Sequence, residues 1–492
     1  MKILRKEADD MQLLCFPDEE VDKGDYLLVT DRVKQRSLIV QVIDIQYANI
    51  PGILEDLLRD GISEGSLSGD EVDPFKVSSQ IRVLKDTRLL VGKIRGAIEN
   101  GRISRDVAWL PSRNHSHVEA MPAKLFLESL SSRHAFEIGS THRFPHINSD
   151  LAALDGRLNI VTGRKGTGKS HLTKLLVTSL VREGAPVVVL DVNGEYVNLG
   201  RSTDGREMHL SPKIISLIPG LNLRFSLSQV GLSTLLGTLI YALALPENSA
   251  RIFSRIWRDL EQQNQLTMTA LGAAIANADC HESIKDALQA RFNTLDDSGI
   301  FTDDTRTALD LEELFRNHST GCALIVNMKN QYSALRRIIV ELLISKFTDL
   351  LSTQKLRALF LFAEEAHLYL RETYWDDVVT RMRHLGLFTT FVTNQPDTIQ
   401  SSIYRQADNV FLFNFSNEHD LEIVSKVAKV DSDTIRMVVR DLPPHRCLVI
   451  GDVVANFPLV VNVRPLEIQT LGATRYFFED ALANSTSSLI AG

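Results

Sequence analysis

The 492-residue sequence is poor in the features that mark exported, metal-stabilised or broadly DNA-coating proteins. It has only four cysteines, Cys15, Cys280, Cys322 and Cys447, and no CxxC pair, so neither a disulfide framework nor a zinc knuckle is indicated. Lys and Arg number 54 against 62 Asp and Glu, a net charge of −8, which excludes a cationic coat over the whole surface. No stretch resembles a signal peptide. We therefore expect a cytoplasmic protein in which any nucleic-acid contact comes from a local basic surface.

One uncharged run, residues 225–246, has the length of a membrane span. Its apolar residues recur at the spacing i, i+3, i+4, i+7, i+8 and i+11, with Ser, Thr and Gly between them. The predicted apolar face consists of Leu232, Leu235, Leu236, Leu239, Ile240 and Leu243. We therefore predict a core helix, ended by Pro246, with no membrane contact.

The apolar pattern predicts an α/β fold with four regions. Residues 1–118 contain β-rich runs at 25–32, 37–45 and 80–94, which predict a small β-barrel. Residues 119–150 form a His-rich connector without metal-ligand spacing. Residues 151–465 alternate short apolar runs with amphipathic stretches, as in a parallel α/β sheet, around a helical insertion at about 228–318, and 466–492 form a C-terminal tail. The predicted strands of the α/β region are 158–162, 186–192, 322–328, 358–363, 388–393, 409–415 and 446–451.

A phosphate-binding GxxxxGK[ST] pattern follows the first of these strands. Its residues run from Gly163 to Ser170, and an amphipathic stretch follows directly. Such a turn lets successive backbone N–H groups face phosphates, while Lys169 adds positive charge and Ser170 offers its hydroxyl to Mg²⁺. The sequence therefore predicts a site for ATP and Mg²⁺. The predicted nucleotide-binding residues are Gly163, Gly166, Thr167, Gly168, Lys169, Ser170 and His171.

Two consecutive carboxylates, Glu364 and Glu365, follow the apolar run 358–363. In P-loop ATPases an acid at this strand end supports the Mg²⁺ shell, and a second acid activates the attacking water. We assign the metal role to Glu364, together with Ser170, and the general base to Glu365. The alternative is that the two acids merely complement a helix dipole.

Other polar residues follow or precede the strands of the same region. Gln395, after the run 388–393, is a candidate sensor of the γ-phosphate, and a Pro-directed turn is the alternative. Arg381 and Arg383 are candidates for an arginine supplied to the nucleotide of a neighbouring subunit. Asp191, at the end of the predicted strand 186–192, and Glu195, just after it, are further candidate nucleotide-binding residues that could position water, Mg²⁺ or a neighbour's arginine, whereas an Asn-Gly turn is the alternative.

The order of these motifs resembles the HerA family of hexameric DNA-translocating ATPases. The segments that carry the resemblance are GxxxxGKS, LDVNGEY, LFLFAEEAH, RxRHLG and TNQPD. The resemblance implies a RecA-like P-loop ATPase core with an N-terminal β-barrel, and catalysis by Lys169, Glu365, Gln395 and Arg383. Arg381 and Arg405 remain alternatives for the trans arginine. The sequence has Glu364 where many related ATPases have Asp, and His384 where HerA-like sequences usually have Lys.

The same resemblance implies a homo-hexamer around double-stranded DNA that works with a separate nuclease of the NurA type. Bacterial relatives instead resemble partners of nuclease or sirtuin-like effectors in phage defence. The first hypothesis is a DNA translocase or helicase, and the second is an ATP-responsive ring scaffold that assembles and activates an effector. A membrane-coupled pump is disfavoured because no spanning segment is predicted. Candidate pore residues are Arg201, Arg206, Lys213, Lys329, Arg336 and Arg337.

Overall fold

The computed structural model describes two compact units. The described residues are 1–48, 86–122, 133–369, 375–427 and 430–469. The first unit contains 1–48, 86–122, 133–153, 162–169, 408–427 and 430–464, and the second contains 154–161, 170–369, 375–407 and 465–469.

The N-terminal part of the first unit forms a seven-stranded antiparallel sheet. Its strands are β1 (Lys2–Glu7), β2 (Asp10–Cys15), β3 (Tyr26–Asp31), β4 (Arg36–Tyr47), β5 (Arg88–Glu99), β6 (Arg102–Ser104) and β7 (Ser116–Ala120). Their order is β1-β2-β5-β4-β3-β7, with β6 beside β5. The outer strands β1 and β7 approach each other, so the sheet is barrel-like. The predicted strands 25–32 and 37–45 are confirmed, whereas β1, β2 and β7 were not predicted. Residues 80–85 of the third predicted run, 80–94, lie outside the described residues, and β5 overlaps the run from Arg88 onward.

Alternation along the strands determines which face of this sheet is buried. Met11, Leu13 and Cys15 of β2 are at most 1% exposed, and the residues between them are more exposed. Successive side chains of a strand point to opposite faces, so these three share the core face. In β1 only Ile3 is buried, and one buried residue among charges gives too weak a pattern to predict a strand.

The predicted connector contains two further strands, β8 (Ala135–Ser140) and β9 (Ile147–Asp150). Phe136 and Ile138 of β8 and Ile147 of β9 are buried, so the segment has a core face. Its many histidines had led us to predict a connector without strands. Three of the histidines in and just before this segment lie near carboxylates: His146 Nδ1 is 2.8 Å from Glu137, and His117 and His142 are 3.7 Å and 3.4 Å from Glu119 and Asp25. Among the described residues, no cluster of His, Cys, Asp and Glu has the arrangement of a metal site.

A largely parallel sheet organises the second unit. Its strands are β10 (Asn159–Thr162), β11 (Pro186–Asp191), β12 (Ile214–Leu217), β13 (Cys322–Asn327), β14 (Leu359–Glu364) and β15 (Leu387–Thr393). Their order is β12-β13-β11-β14-β15-β10, and the pairs from β12 through β15 are parallel. Apart from the edge strand β12, the strands are almost wholly buried, as in sheets covered on both faces. The corresponding predicted strands are confirmed, and β12 is additional.

The helices of the second unit are interspersed with these strands along the chain. They are α1 (Lys169–Arg182), α2 (Leu227–Tyr241), α3 (Glu247–Gln262), α4 (Met268–Ala276), α5 (Glu282–Asp297), α6 (Leu311–Asn317), α7 (Ser333–Ser352), α8 (Trp375–Leu385) and α9 (Ser401–Gln406). Helices α2 to α6 occupy the range in which the insertion was predicted. The predicted apolar residues of α1, namely Leu172, Leu175, Leu176 and Leu180, are all buried.

Helix α2 forms within the uncharged run, but its buried face differs from the predicted one. Thr234 and Thr238 are buried, whereas Ile240 of the predicted apolar face is 37% exposed. Gly231, with φ of 78°, interrupts the helix and changes which residues face the core. The Thr238 hydroxyl donates to the Thr234 carbonyl at 2.9 Å, so its burial leaves no donor unpaired. No helix in the described part of the chain has the length and apolarity needed to cross a membrane.

The first unit also contains strands from the C-terminal part of the chain. These are β16 (Asn409–Leu412), β17 (Arg446–Gly451) and β18 (Leu459–Val463), in the antiparallel order β16-β17-β18-β8-β9. Helices α10 (Glu418–Val427) and α11 (Ser432–Thr434) lie between β16 and β17 in the chain. The predicted strands at 409–415 and 446–451 are confirmed. Their antiparallel pairing departs from the predicted parallel pattern, because the chain reverses direction between β16 and β17 and again between β17 and β18.

Candidate nucleotide site

The phosphate loop connects β10 to α1 and depends on glycine at two close approaches. A Cβ on Gly163 would lie 2.4 Å from the Cβ of Phe413, and one on Gly168 would lie 3.1 Å from the Cα of His445. Gly168 also has φ of 114°, a conformation that side chains disfavour. The loop can therefore keep this shape only with hydrogen atoms at these two positions.

Backbone hydrogen bonds hold the same loop from outside. The Arg164 N–H donates to the Asn414 carbonyl at 2.9 Å, and the His445 N–H donates to the Thr167 carbonyl at 2.8 Å. Inside the loop, the Thr167 hydroxyl donates to the Arg164 carbonyl at 2.7 Å. Sequence analysis missed Asn414 and His445 because main-chain contacts between distant segments leave no residue-type pattern.

Lys169 lies over the loop it belongs to. Its Nζ donates to the carbonyls of Gly163 at 2.9 Å and Arg164 at 3.0 Å, and the residue is 8% exposed. Ser170 and His171 follow in the first turn of α1 and are half-buried. The positive charge is thus concentrated where the loop would hold an anion, as phosphate binding requires.

Glu364 is the last residue of β14 and is 3% exposed. The hydroxyl of Tyr196 donates to its Oε1, and the hydroxyl of Tyr369 donates to its backbone carbonyl at 2.9 Å. Burial, and then the charges of Glu364 and Glu365, raise the pKa of Tyr369 well above its usual range. Tyr369 therefore remains a protonated donor to the Glu364 carbonyl.

Glu365 has the left-handed backbone conformation, with φ of 50°. Its Oε2 lies 3.3 Å from Nδ1 of His367, and the same nitrogen lies 3.2 Å from the Thr393 hydroxyl. The Gln395 N–H donates to that hydroxyl at 3.1 Å. A chain of contacts thus joins the turn at Gln395 to the carboxylate of Glu365. Strained backbone of this kind is common at functional sites.

The carboxylate of Asp191 forms a turn with the following residues. It accepts the N–H groups of Gly194 at 2.8 Å and of Glu195 and Tyr196 at 3.0 Å. Burial raises the pKa of Asp191, although these hydrogen bonds and the Lys174 charge oppose the shift. This geometry favours the turn alternative for Asp191 over direct contact with nucleotide.

Glu195 contacts a lysine that sequence analysis missed. Its Oε2 lies 3.7 Å from Nζ of Lys174, which is 3% exposed on α1 and lies 5.3 Å from the ring centroid of Tyr196. Burial lowers the pKa of Lys174, although Glu195, Glu364 and Asp191 oppose that shift. A lysine four residues after Ser170 falls on the buried side of α1, where a sequence pattern predicts only apolar residues.

The candidate arginines differ in exposure. Arg381 on α8 and Arg405 on α9 are exposed, and Arg383 on α8 is half-buried. Of the candidate pore residues, Lys329 and Arg206 are exposed, whereas Nε of Arg336 is buried. A residue that contacts another molecule must be exposed, which favours Lys329 and Arg206 over Arg336.

A glycine-rich loop that connects strand β10 to helix α1 and carries Lys169 and Ser170 is the arrangement found in P-loop nucleoside triphosphatases. Residues 151–352 match the family model described as the central domain of helicase HerA. The predicted resemblance to the HerA family is therefore confirmed over this region, which includes the phosphate loop and the turn at Asp191.

Two solved structures are similar to this chain. VirB4 of Thermoanaerobacter pseudethanolicus is 12% identical, with a TM-score of 0.51 over 68% of this chain and 98% of that chain. The plasmid coupling protein TrwB in complex with ADP and Mg²⁺ is 14% identical, with a TM-score of 0.48 over 72% of this chain and 94% of its own. At 12% identity, the likeness to VirB4 shows a shared fold and nothing further. No curated protein matches the chain.

Proposed function

We propose that the protein is an ATP-hydrolysing motor that forms a homo-hexameric ring and translocates on or unwinds duplex DNA. A nuclease or another effector on a separate chain would act with it. The observation that carries this proposal is the match of residues 151–352 to the central domain of a helicase. The buried Lys169 and the held carboxylates Glu364 and Glu365 support it, because they are the groups that hydrolysis of a nucleoside triphosphate requires.

The oxygen ligands of the second unit fit a magnesium ion. The Ser170 hydroxyl and the Glu364 carboxylate are the hard donors that Mg²⁺ prefers, and Glu364 is kept in place by the Tyr196 hydroxyl. When bound, Mg²⁺ would neutralise charge on the phosphates. In this proposal Gly163 to Ser170 hold the phosphates of ATP, and Lys169 stabilises the charge that develops on them.

Glu365 would act on the attacking water. Its carboxylate accepts a proton as the water oxygen bonds to the γ-phosphorus, and the bond to the ADP oxygen breaks. His367 contacts this carboxylate at 3.3 Å and so limits its rotation. Gln395 would sense the γ-phosphate through the turn that joins it to Thr393. An exposed arginine, Arg381 or Arg405, or the half-buried Arg383, would act on a neighbouring subunit.

The test is steady-state ATP hydrolysis by the full chain with and without linear duplex DNA. Lys169→Ala should abolish turnover, and Lys426→Ala, which removes an exposed lysine of α10, should leave it unchanged. Stimulation of wild-type turnover by DNA of about tenfold or more would support the motor. Turnover that ignores DNA would favour the ATP-responsive scaffold, and wild-type turnover in Lys169→Ala would contradict the assigned site.

A further inference from the structure

The buried contacts around Glu364 extend beyond the residues assigned to ATP hydrolysis. Tyr196 is 1% exposed, and its hydroxyl donates to the Glu364 carboxylate from a segment 168 residues earlier in the chain. The ring lies beside Lys174, whose Nζ is 5.3 Å from the ring centroid. The hydroxyl is thus directed at one carboxylate oxygen by a ring that cannot rotate away.

The turn at Asp191 fixes the backbone of Tyr196. The Tyr196 N–H donates to Oδ2 of Asp191 at 3.0 Å, while Oδ1 accepts the N–H groups of Gly194 and Glu195. Strand β11, which ends at Asp191, pairs directly with β14, which ends at Glu364. The turn therefore begins at the end of the strand that pairs with β14. It brings the Tyr196 hydroxyl to the carboxylate of Glu364, at the end of β14.

We propose that Tyr196 is a positioning residue that orients the Glu364 carboxylate toward the metal, and that the turn 191–196 is its support. This inference rests on the proposed function. Partners that hydrogen-bond metal-ligating carboxylates set ligand orientation, and their removal typically weakens metal binding by about 10–100-fold. Asp191 and Glu195 then serve the site indirectly, through the turn and through Lys174, without touching nucleotide.

The test compares two tyrosine variants that each remove one buried hydroxyl. Tyr196→Phe keeps the ring beside Lys174 and removes the donor to the carboxylate. Tyr369→Phe removes the donor to the backbone carbonyl of Glu364, which strand pairing also fixes. The measurement is the affinity for Mn²⁺, followed by electron paramagnetic resonance, in the presence of a non-hydrolysable ATP analogue. The affinity of the analogue without metal and the thermal unfolding midpoint are measured alongside.

Tyr196→Phe should weaken Mn²⁺ binding about tenfold and raise by a similar factor the Mg²⁺ concentration needed for half-maximal hydrolysis. Metal-free analogue binding should stay at the wild-type level, and Tyr369→Phe should keep wild-type metal affinity. Wild-type Mn²⁺ affinity in Tyr196→Phe would overturn the proposal, as would an equal loss in both variants. Because Mn²⁺ binding needs no turnover, a wild-type chain that binds metal and analogue without hydrolysing ATP would contradict the proposed hydrolysis alone.

Discussion

The phosphate loop and the acidic pair Glu364 and Glu365 place their functional groups by different means. The loop is shaped by its main chain, through glycines that leave room for Phe413 and His445 and through backbone hydrogen bonds. The acidic groups are placed by side chains, since Tyr196 holds Glu364 and His367 contacts Glu365. A motif of fixed spacing therefore identifies the residues of the loop itself, whereas the support of the acids comes from side chains that no local motif contains.

The largest expected effect on turnover is that of Glu365→Gln, which changes the acidic pair and leaves the phosphate loop intact. The amide keeps the size of the side chain but cannot accept a proton, so kcat should fall by about 10²-fold or more while ATP still binds. Nucleotide binding and steady-state turnover measure the two effects separately. Glu418→Gln, at an exposed position of α10, should leave both unchanged. Turnover within threefold of wild type would show that another group is the base.

A second comparison separates steric from conformational demands inside the phosphate loop. Gly163→Ala places a methyl group 2.4 Å from the Phe413 Cβ, whereas a Cβ on Gly166 meets nothing within 4 Å. Gly166 has φ of 79°, so Gly166→Ala should cost only about 1 kcal/mol. Gly163→Ala should cost about 1–3 kcal/mol from overpacking and should also weaken ATP binding. Denaturant unfolding and nucleotide titration test this order, which equal losses in the two variants would contradict.

His367→Ala tests whether side-chain support matters for Glu365. We expect kcat to fall about tenfold with little change in KM, because without the imidazole that lies 3.3 Å from Oε2 the carboxylate can leave its productive orientation. His367→Asn, whose amide can occupy the position of Nδ1, should restore part of the rate. His146→Ala removes a histidine that also contacts a glutamate, but at an exposed site of the first unit, and should have no effect. A parallel rise in KM would indicate a binding role instead.

The sequence predicted elements and motif residues far better than it predicted contacts. The strands β10, β11 and β13 to β17 and the burial of Leu172, Leu175 and Leu176 were predicted because period and composition are local properties. Strand β1, with one buried residue, gave no such signal. The partners Tyr196 and His445 could not be found, since their roles depend on which distant segments the sheet brings together. The buried face of α2 was wrong because threonines with paired hydroxyls can replace leucines there.

The smallest expected effect concerns a charged contact of the first unit to which we assign no role in nucleotide binding or hydrolysis. Arg95 donates to Asp431 at 2.6 Å and to the Thr434 hydroxyl at 2.6 Å. Burial acts to raise the pKa of Asp431, but the hydrogen bond and charge of Arg95 outweigh it, so the pKa lies below the ordinary value of 3.8. A depressed pKa stabilises the fold above pH 3.8, and this stabilisation is lost as the pH falls through the folded-state value.

Asp431→Asn should therefore lower the free energy of unfolding by about 1 kcal/mol at pH 7. The difference from wild type should shrink as the pH falls below 3.8, because the wild-type carboxyl then loses its charge. Asparagine can still accept the Thr434 N–H that Asp431 accepts at 2.9 Å, so the helix cap is kept and the charge alone is tested. Denaturant titrations at pH 7 and pH 3 measure both values, with Asp259→Asn on the exposed side of α3 as the control. A difference that is the same at both pH values would mean that Arg95 stabilises this segment through geometry without the charge of Asp431.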